Sequence, residues 1–167
     1  MPADLRIIQP IGTLPLPEQA LTLPVLQAAL FLPLLLAASL TDCRRRTIPN
    51  AICILIAAAG LISFSPAKLF GPLAAVPFFL GALWDESGMG GGDIKLVAAS
   101  GLMLGFFGCL WGSMAGLALA ILWHGAAALY RKCRKEPPVP MGRAALPLAP
   151  FLSVGLAAVT IMNLGGN

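Results

Sequence analysis

The sequence predicts an all-α, polytopic membrane protein with about six transmembrane helices, and three observations carry that expectation. Hydrophobic residues make up 58% of the 167-residue chain and charged residues 11%, where a soluble domain has roughly 45–50% and about 25%. The mean hydropathy is +0.87. The apolar stretches come in units near the ~20 residues that cross a bilayer as a helix, and short loops between them hold most of the charge. This bounds one membrane domain over residues 23–164, preceded by an N-terminal extension over 1–22, with no room for a separate soluble domain between.

Residues 1–22 are interrupted by Pro2, Pro10, Pro15 and Pro17 and lack the compact apolar core of a signal peptide, so a loose extension is expected there. The first span, 23–40, contains no charged residue and ends at Thr41-Asp42, with Arg44-Arg45-Arg46 just behind. Ile48-Pro49-Asn50 opens the second span, which runs to about 64; proline is tolerated in a first helical turn, where its missing N–H would be unpaired anyway. A turn at Ser65-Pro66 leads to a third span over 69–84. A polar, glycine-rich piece follows over 85–93. The fourth span, 94–107, is short for a full crossing. Either it extends back into the glycine loop or that loop enters the membrane where protein shields it. The fifth span covers 108–130, the basic loop 131–143 with Pro137-Pro138-Val139-Pro140 should be irregular, and a last span covers 146–164.

Charge tests this layout. If the arginine triplet faces the cytoplasm, alternation puts Arg44, Arg45, Arg46, Lys95, Arg131, Lys132, Arg134, Lys135 and Arg143 inside and only Arg6 and Lys68 outside. Such a bias in short loops is the mark of a cytoplasmic-membrane protein. The formal charge of +4 is thereby assigned to topology and lipid rather than to nucleic acid. Cys43, Cys53, Cys109 and Cys133 stand singly, with no CxxC pair for a zinc or redox site. Small residues recur at Gly101 and Gly105 and again at Gly108, Gly112, Gly116 and Ala120, a spacing that lets membrane helices approach backbone to backbone. His124 continues the second series and is expected to be a packed helix residue rather than a catalytic one.

The chemistry concentrates on two acids. Asp93 closes the loop Gly88-Met89-Gly90-Gly91-Gly92 and leads into Ile94-Lys95-Leu96, so Gly90, Gly91, Gly92 and Lys95 form the loop that surrounds it. Glycines leave a carboxylate open to close approach by another chain. Asp42 sits at the end of the first span. Plain alternatives exist: Asp93 as a helix N-cap, and Asp42 as a partner of its arginine neighbours. If the two converge, charges ~4 Å apart at an effective dielectric near 20 repel by about 4 kcal/mol, enough to make the pair share one proton. A carboxyl pair of that kind activates water with one member and protonates a peptide carbonyl with the other. Helix dipoles would make Asp93 the ionised base and Asp42 the acid, with the arginine triplet working against this. Asp85 and Glu86 lie on the same expected face, either simply solvated or attracting a basic peptide.

These residues resemble a known family. Gly90-Gly91-Gly92-Asp93 matches the GxGD signature of intramembrane aspartic proteases, and GMGGGDIKL with Ala98, Gly101 and Gly105 is similar to the type IV prepilin peptidases. Asp42, five residues and then Ile48-Pro49-Asn50 resembles the second catalytic segment of that family. Pro147-Leu148-Ala149-Pro150-Phe151-Leu152 with Gly155 resembles the opening of its last helix. The resemblance implies an aspartic endopeptidase of the bacterial inner membrane that removes a basic leader from prepilins or pilin-like proteins at the cytoplasmic face. Asp42 and Asp93 would be catalytic, and no metal or organic cofactor is expected. Larger members carry paired CxxC motifs associated with N-methylation, so this chain looks like the short, peptidase-only form of tight-adherence (Flp-type) pili. The partners implied are a prepilin substrate and the lipid bilayer, and the oligomeric state stays open. The competing reading is a small cation or proton transporter with both aspartates as ion ligands. Transporters place such groups near the bilayer midplane, whereas both acids here fall at span ends.

Overall fold

The computed structural model describes residues 17–63, 65–84, 90–134 and 148–165, with side chains from 23 onward. Among the described residues, five α-helices and one 3-10 helix follow in order. They are α1 Pro17–Arg45, α2 Asn50–Leu61, the 3-10 helix Pro66–Ala75 running into α3 Val76–Trp84, α4 Gly91–Cys133 and α5 Ala149–Gly165. Residues 1–16 of the expected extension lie outside the described residues, and α1 begins at Pro17, ahead of the expected start at 23.

The chain is a polytopic membrane protein. Three helical stretches are long and apolar enough to cross a bilayer, Leu23–Arg45, Pro66–Trp84 and Gly91–Cys133, and Asn50–Leu61 and Ala149–Gly165 are shorter apolar helices. The outward faces are as apolar as the core: Ile54, Phe107, Leu122 and Met162 are largely exposed, while Phe31, Leu35, Ile56, Leu96, Leu152 and Leu156 are fully buried. Outward apolar faces of this extent are what lipid solvates.

The expected fourth and fifth spans form one element, α4, broken at Gly105, whose φ of 75° and ψ of 176° belong to a region open essentially to glycine alone. Cys109 Sγ donates to Val97 O over 3.2 Å, twelve residues away. A straight helix would hold residues so spaced about 18 Å apart. The halves therefore fold back on one another, and α4 returns its C-terminal Arg131 and Lys132 toward the end where it began.

Two glycine contacts set the helix spacing. Gly71 of the 3-10 helix lies backbone against backbone on Gly101 of α4, and Gly155 of α5 lies likewise on Gly112 and Gly116. A Cβ on Gly71, Gly101, Gly116 or Gly155 would collide with main-chain atoms, and one on Gly112 would be tight at 3.1 Å. This is the close approach the small-residue stripes predict. Gly105 departs from its stripe: it faces open space and serves as the bend. Polar side chains add cross-links. Gln27 Nε2 donates to Ala59 O at 3.1 Å, Ser63 Oγ to Gln27 Oε1 at 2.8 Å, and Lys68 Nζ to Ser63 Oγ at 2.7 Å. At the opposite side of α1, Ser153 Oγ donates to Leu35 O at 3.2 Å.

These contacts fix direction. α1 runs antiparallel to α2 (Gln27 with Ala59) and to α5 (Leu35 with Ser153, Asp42 with Ala149). The first half of α4 runs alongside α2 in the same sense, Gly92 on Ile48 and Gly60 on Leu102. The end of α1 and the starts of α2, α4 and α5 consequently gather at one rim.

Candidate active site

The functional side chains sit where those four helix ends meet. α1 ends one turn beyond Asp42: Arg46 N donates to Asp42 O at 2.8 Å, and Arg46 has a φ of 53°. This is the left-handed helix terminus in which glycine is the usual occupant. An arginine there costs about 1–2 kcal/mol in backbone strain, and such strain gathers at functional sites. The extended stretch 47–49 then carries the chain to α2 at Asn50.

α4 starts at the glycine loop. Gly90 is its N-cap without any side-chain cap bond, so the plain expectation that Asp93 caps the helix does not describe the structure. Asp93 lies within the first turn, its N–H bonded to Gly90 O at 3.0 Å and its side chain only 7% exposed. The helix thus begins ahead of the expected 94, extending back into the loop. A Cβ on Gly90 would sit 3.5 Å from Asp93 Oδ2, and one on Gly92 would press within 3.3 Å of Ile48. The bare backbone lets α4 seat against Ile48 and leaves the approach to Asp93 clear.

Asp42 and Asp93 line a single cleft of about 240 Å³ together with Arg46, Thr47, Ile48, Gly90, Gly91, Gly92 and Lys95. Asp42 is 8% exposed, and its Oδ2 accepts the Ala149 N–H of α5 at 3.3 Å. That N–H is available because it belongs to the first turn of a helix. Pro150 has none to offer, and the N–H groups of Phe151 and Leu152 are both taken by Leu148 O at 3.1 Å. Asp93 Oδ1 is buried with no hydrogen-bond partner among the described residues. Lys95 stands at the edge, Nζ donating to Asn50 Oδ1 at 3.1 Å.

Asp42, Asp93, Gly90, Gly91, Gly92 and Lys95 are thus brought to one place. Asp85 and Glu86 lie outside the described residues. His124 is half-buried on the second half of α4, apart from the cleft. Reading the residues one by one missed Arg46 and Thr47 as cleft walls, and it missed the Ala149 N–H altogether. The proline-flanked stretch around Ala149 was the only signal for the latter. Two buried carboxyls thus line one cleft with room for several water molecules.

The fold and the cleft define a polytopic membrane protein with a paired-carboxyl site at one rim. Residues 29–132 match the type IV leader peptidase family. A stretch of 125 residues is 34% identical to the prepilin leader peptidase/N-methyltransferase of Bacillus subtilis (strain 168), covering 70% of this chain and 48% of that protein. The chain belongs to the type IV leader peptidase family. It spans about half the length of this curated relative. No solved structure matches the chain.

Proposed function

We propose that the chain is an aspartic endopeptidase that removes the basic leader from prepilins or pilin-like proteins at the cytoplasmic face of the bacterial inner membrane. The observation that carries this reading is the shared cleft: carboxyl groups from the end of α1 and the start of α4 line one cavity beside a bare glycine loop. Family membership supplies the substrate class, since the Bacillus subtilis relative is named for prepilin leader cleavage.

The catalytic residues in this reading are Asp42 and Asp93. One carboxylate takes a proton from water as its oxygen attacks the scissile carbonyl carbon. The other, protonated, gives its proton to the carbonyl oxygen. Collapse of the tetrahedral intermediate breaks the C–N bond: the proton taken from water passes to the leaving amine, and a hydroxyl of the intermediate returns a proton to the other carboxylate as the new carboxyl group forms. The hydrogen bonds favour placing the resting proton on Asp93 and the charge on Asp42. Asp42 already accepts an N–H at the positive end of α5, whereas Asp93 Oδ1 is buried and unbonded among the described residues. This reverses the assignment that each acid's own helix dipole suggests.

A six-span arrangement with the cleft on the cytoplasmic side accords with the positive charges. Arg46 and Lys95 line the cleft, Arg44 and Arg45 stand in the last turn of α1 next to it, and the bend in α4 sends Arg131 and Lys132 back toward it. Lys68 is at the start of the 3-10 helix, bonded to the Ser63 end of α2. The transporter alternative is disfavoured by the same positions, because both acids stand at helix ends rather than at mid-span.

Co-expression with a prepilin from the same genome tests the reading, scored by loss of the leader on a gel. The wild-type chain shortens the prepilin. Asp42→Asn and Asp93→Asn each slow cleavage by roughly 10²–10⁴-fold, and normal processing by either variant removes that residue from the mechanism.

A further inference from the structure

A second cavity, of about 460 Å³, adjoins the cleft and has no part in the chemistry above. It lies between α2 and the first half of α4, walled by Cys53, Ile54 and Ala57 on one side and Ala98 and Leu102 on the other, with Pro72 of the 3-10 helix at its base. Close contacts bound it at both ends. Gly92 packs on Ile48 near the cleft, and Gly60 packs on the Leu102 backbone, where a Cβ would come within 2.9 Å. Between these contacts the alanines leave the helices apart. Along α4 the gap reaches from Lys95 to Leu102, about 10 Å at 1.5 Å per residue.

Lys95 lines both cavities, so the gap begins at the edge of the cleft that holds the carboxyl pair. Its mouth is polar, with Lys95 Nζ bonded to Asn50 Oδ1, and every wall residue named beyond it is apolar. A chain held with its scissile bond at Asp42 and Asp93 would leave the cleft past this pair. The two polar groups can meet peptide N–H and C=O groups there, and apolar side chains would enter the gap. The volume is that of a ligand pocket rather than of a whole helix.

We infer that this groove is the subsite for the first apolar residues of the substrate on one side of the cut bond, selecting a bond that lies at the boundary between a polar and an apolar segment. The inference rests on the peptidase reading and adds what lets the enzyme find its bond: cleavage is registered by how far the apolar segment slides into the groove before polar chain meets Lys95 and Asn50.

Two measurements test it. Ala57→Leu and Ala98→Leu fill the groove and each lower cleavage of a full-length membrane prepilin about tenfold, the cost of about 1.4 kcal/mol of binding. Ala58→Leu, on the exposed side of α2, leaves cleavage unchanged. In an Asp93→Asn background, a photo-crosslinking side chain at Ile54 captures the prepilin within the first turns of its apolar segment, and one at Thr47 captures it at the scissile bond. Capture of the prepilin from Thr47 with capture of lipid alone from Ile54 overturns the groove and leaves the peptidase reading standing. So does unchanged cleavage by both groove-filling variants. If the wild-type chain does not cleave the prepilin and neither probe captures it, the peptidase reading fails and the subsite falls with it.

Discussion

The backbone N–H of Ala149 donates to Oδ2 of Asp42 over 3.3 Å, tying the first turn of α5 to a residue 107 positions earlier in the chain. The last helix thereby holds one of the two acids of the cleft in place, and it does so with a group that no side-chain motif encodes.

Ala149→Pro removes this donor while keeping a residue that the first position of a helix accepts. A hydrogen bond to a charged group contributes about 1.5–3 kcal/mol and Ala149 is fully buried, so thermal stability should drop by about that much, and the cleavage rate per folded molecule should fall as well because Asp42 loses its fixed position. Ala149→Ser, which keeps the N–H, should stay near wild type. Rate measurements on the purified protein in detergent compare the two; equal rates would show that the bond does not hold Asp42 for the reaction.

Gly71→Ala and Gly101→Ala each force a methyl group against the opposing main chain. Backbone cannot rotate out of the way as a side chain can, so each should destabilise by about 1–3 kcal/mol. Thermal unfolding in detergent reads this, and the double variant should be no better than either single one.

Gly105→Ala acts through a different cause. Its surroundings are open, but its φ of 75° with ψ of 176° excludes a Cβ. The expected cost is about 1–3 kcal/mol of strain, together with slower cleavage as the two halves of α4 change their angle. A distance between spin labels on the two halves would lengthen; an unchanged distance would show that alanine tolerates the bend.

Gln27→Leu breaks the chain of bonds joining Ala59, Ser63 and Lys68. These groups lie at the opposite end of α1 from Asp42, so stability should drop by about 1–3 kcal/mol while the rate per folded molecule is kept. A loss of rate exceeding the loss of folded protein would contradict that separation.

Much of this site was legible in the sequence because acids at the ends of apolar stretches are rare and costly. Asp42 and Asp93 stood out for that reason, and the glycines and Lys95 came with them. The places of the helices were less legible. Hydropathy reports where apolar residues lie but not the backbone path, so the 3-10 helix over Pro66–Ala75 and the break at Gly105 rather than at 107–108 were invisible to it. The Gly101–Gly71 contact shows the same limit, since a spacing of small residues predicts a close approach without naming the partner. Ala149 was beyond reach for a related reason, as its contribution is a main-chain N–H that every residue but proline possesses.

The bend at Gly105 has a mechanical reach. Asp93 rides on one arm of α4, while the other arm grips α5, whose first turn holds Asp42. A pivot about 18 Å along the helix from Asp93 therefore governs how far apart the acids stand. A change of angle at this corner would therefore be felt as a change in the spacing of two acids that lie at the other end of the helix.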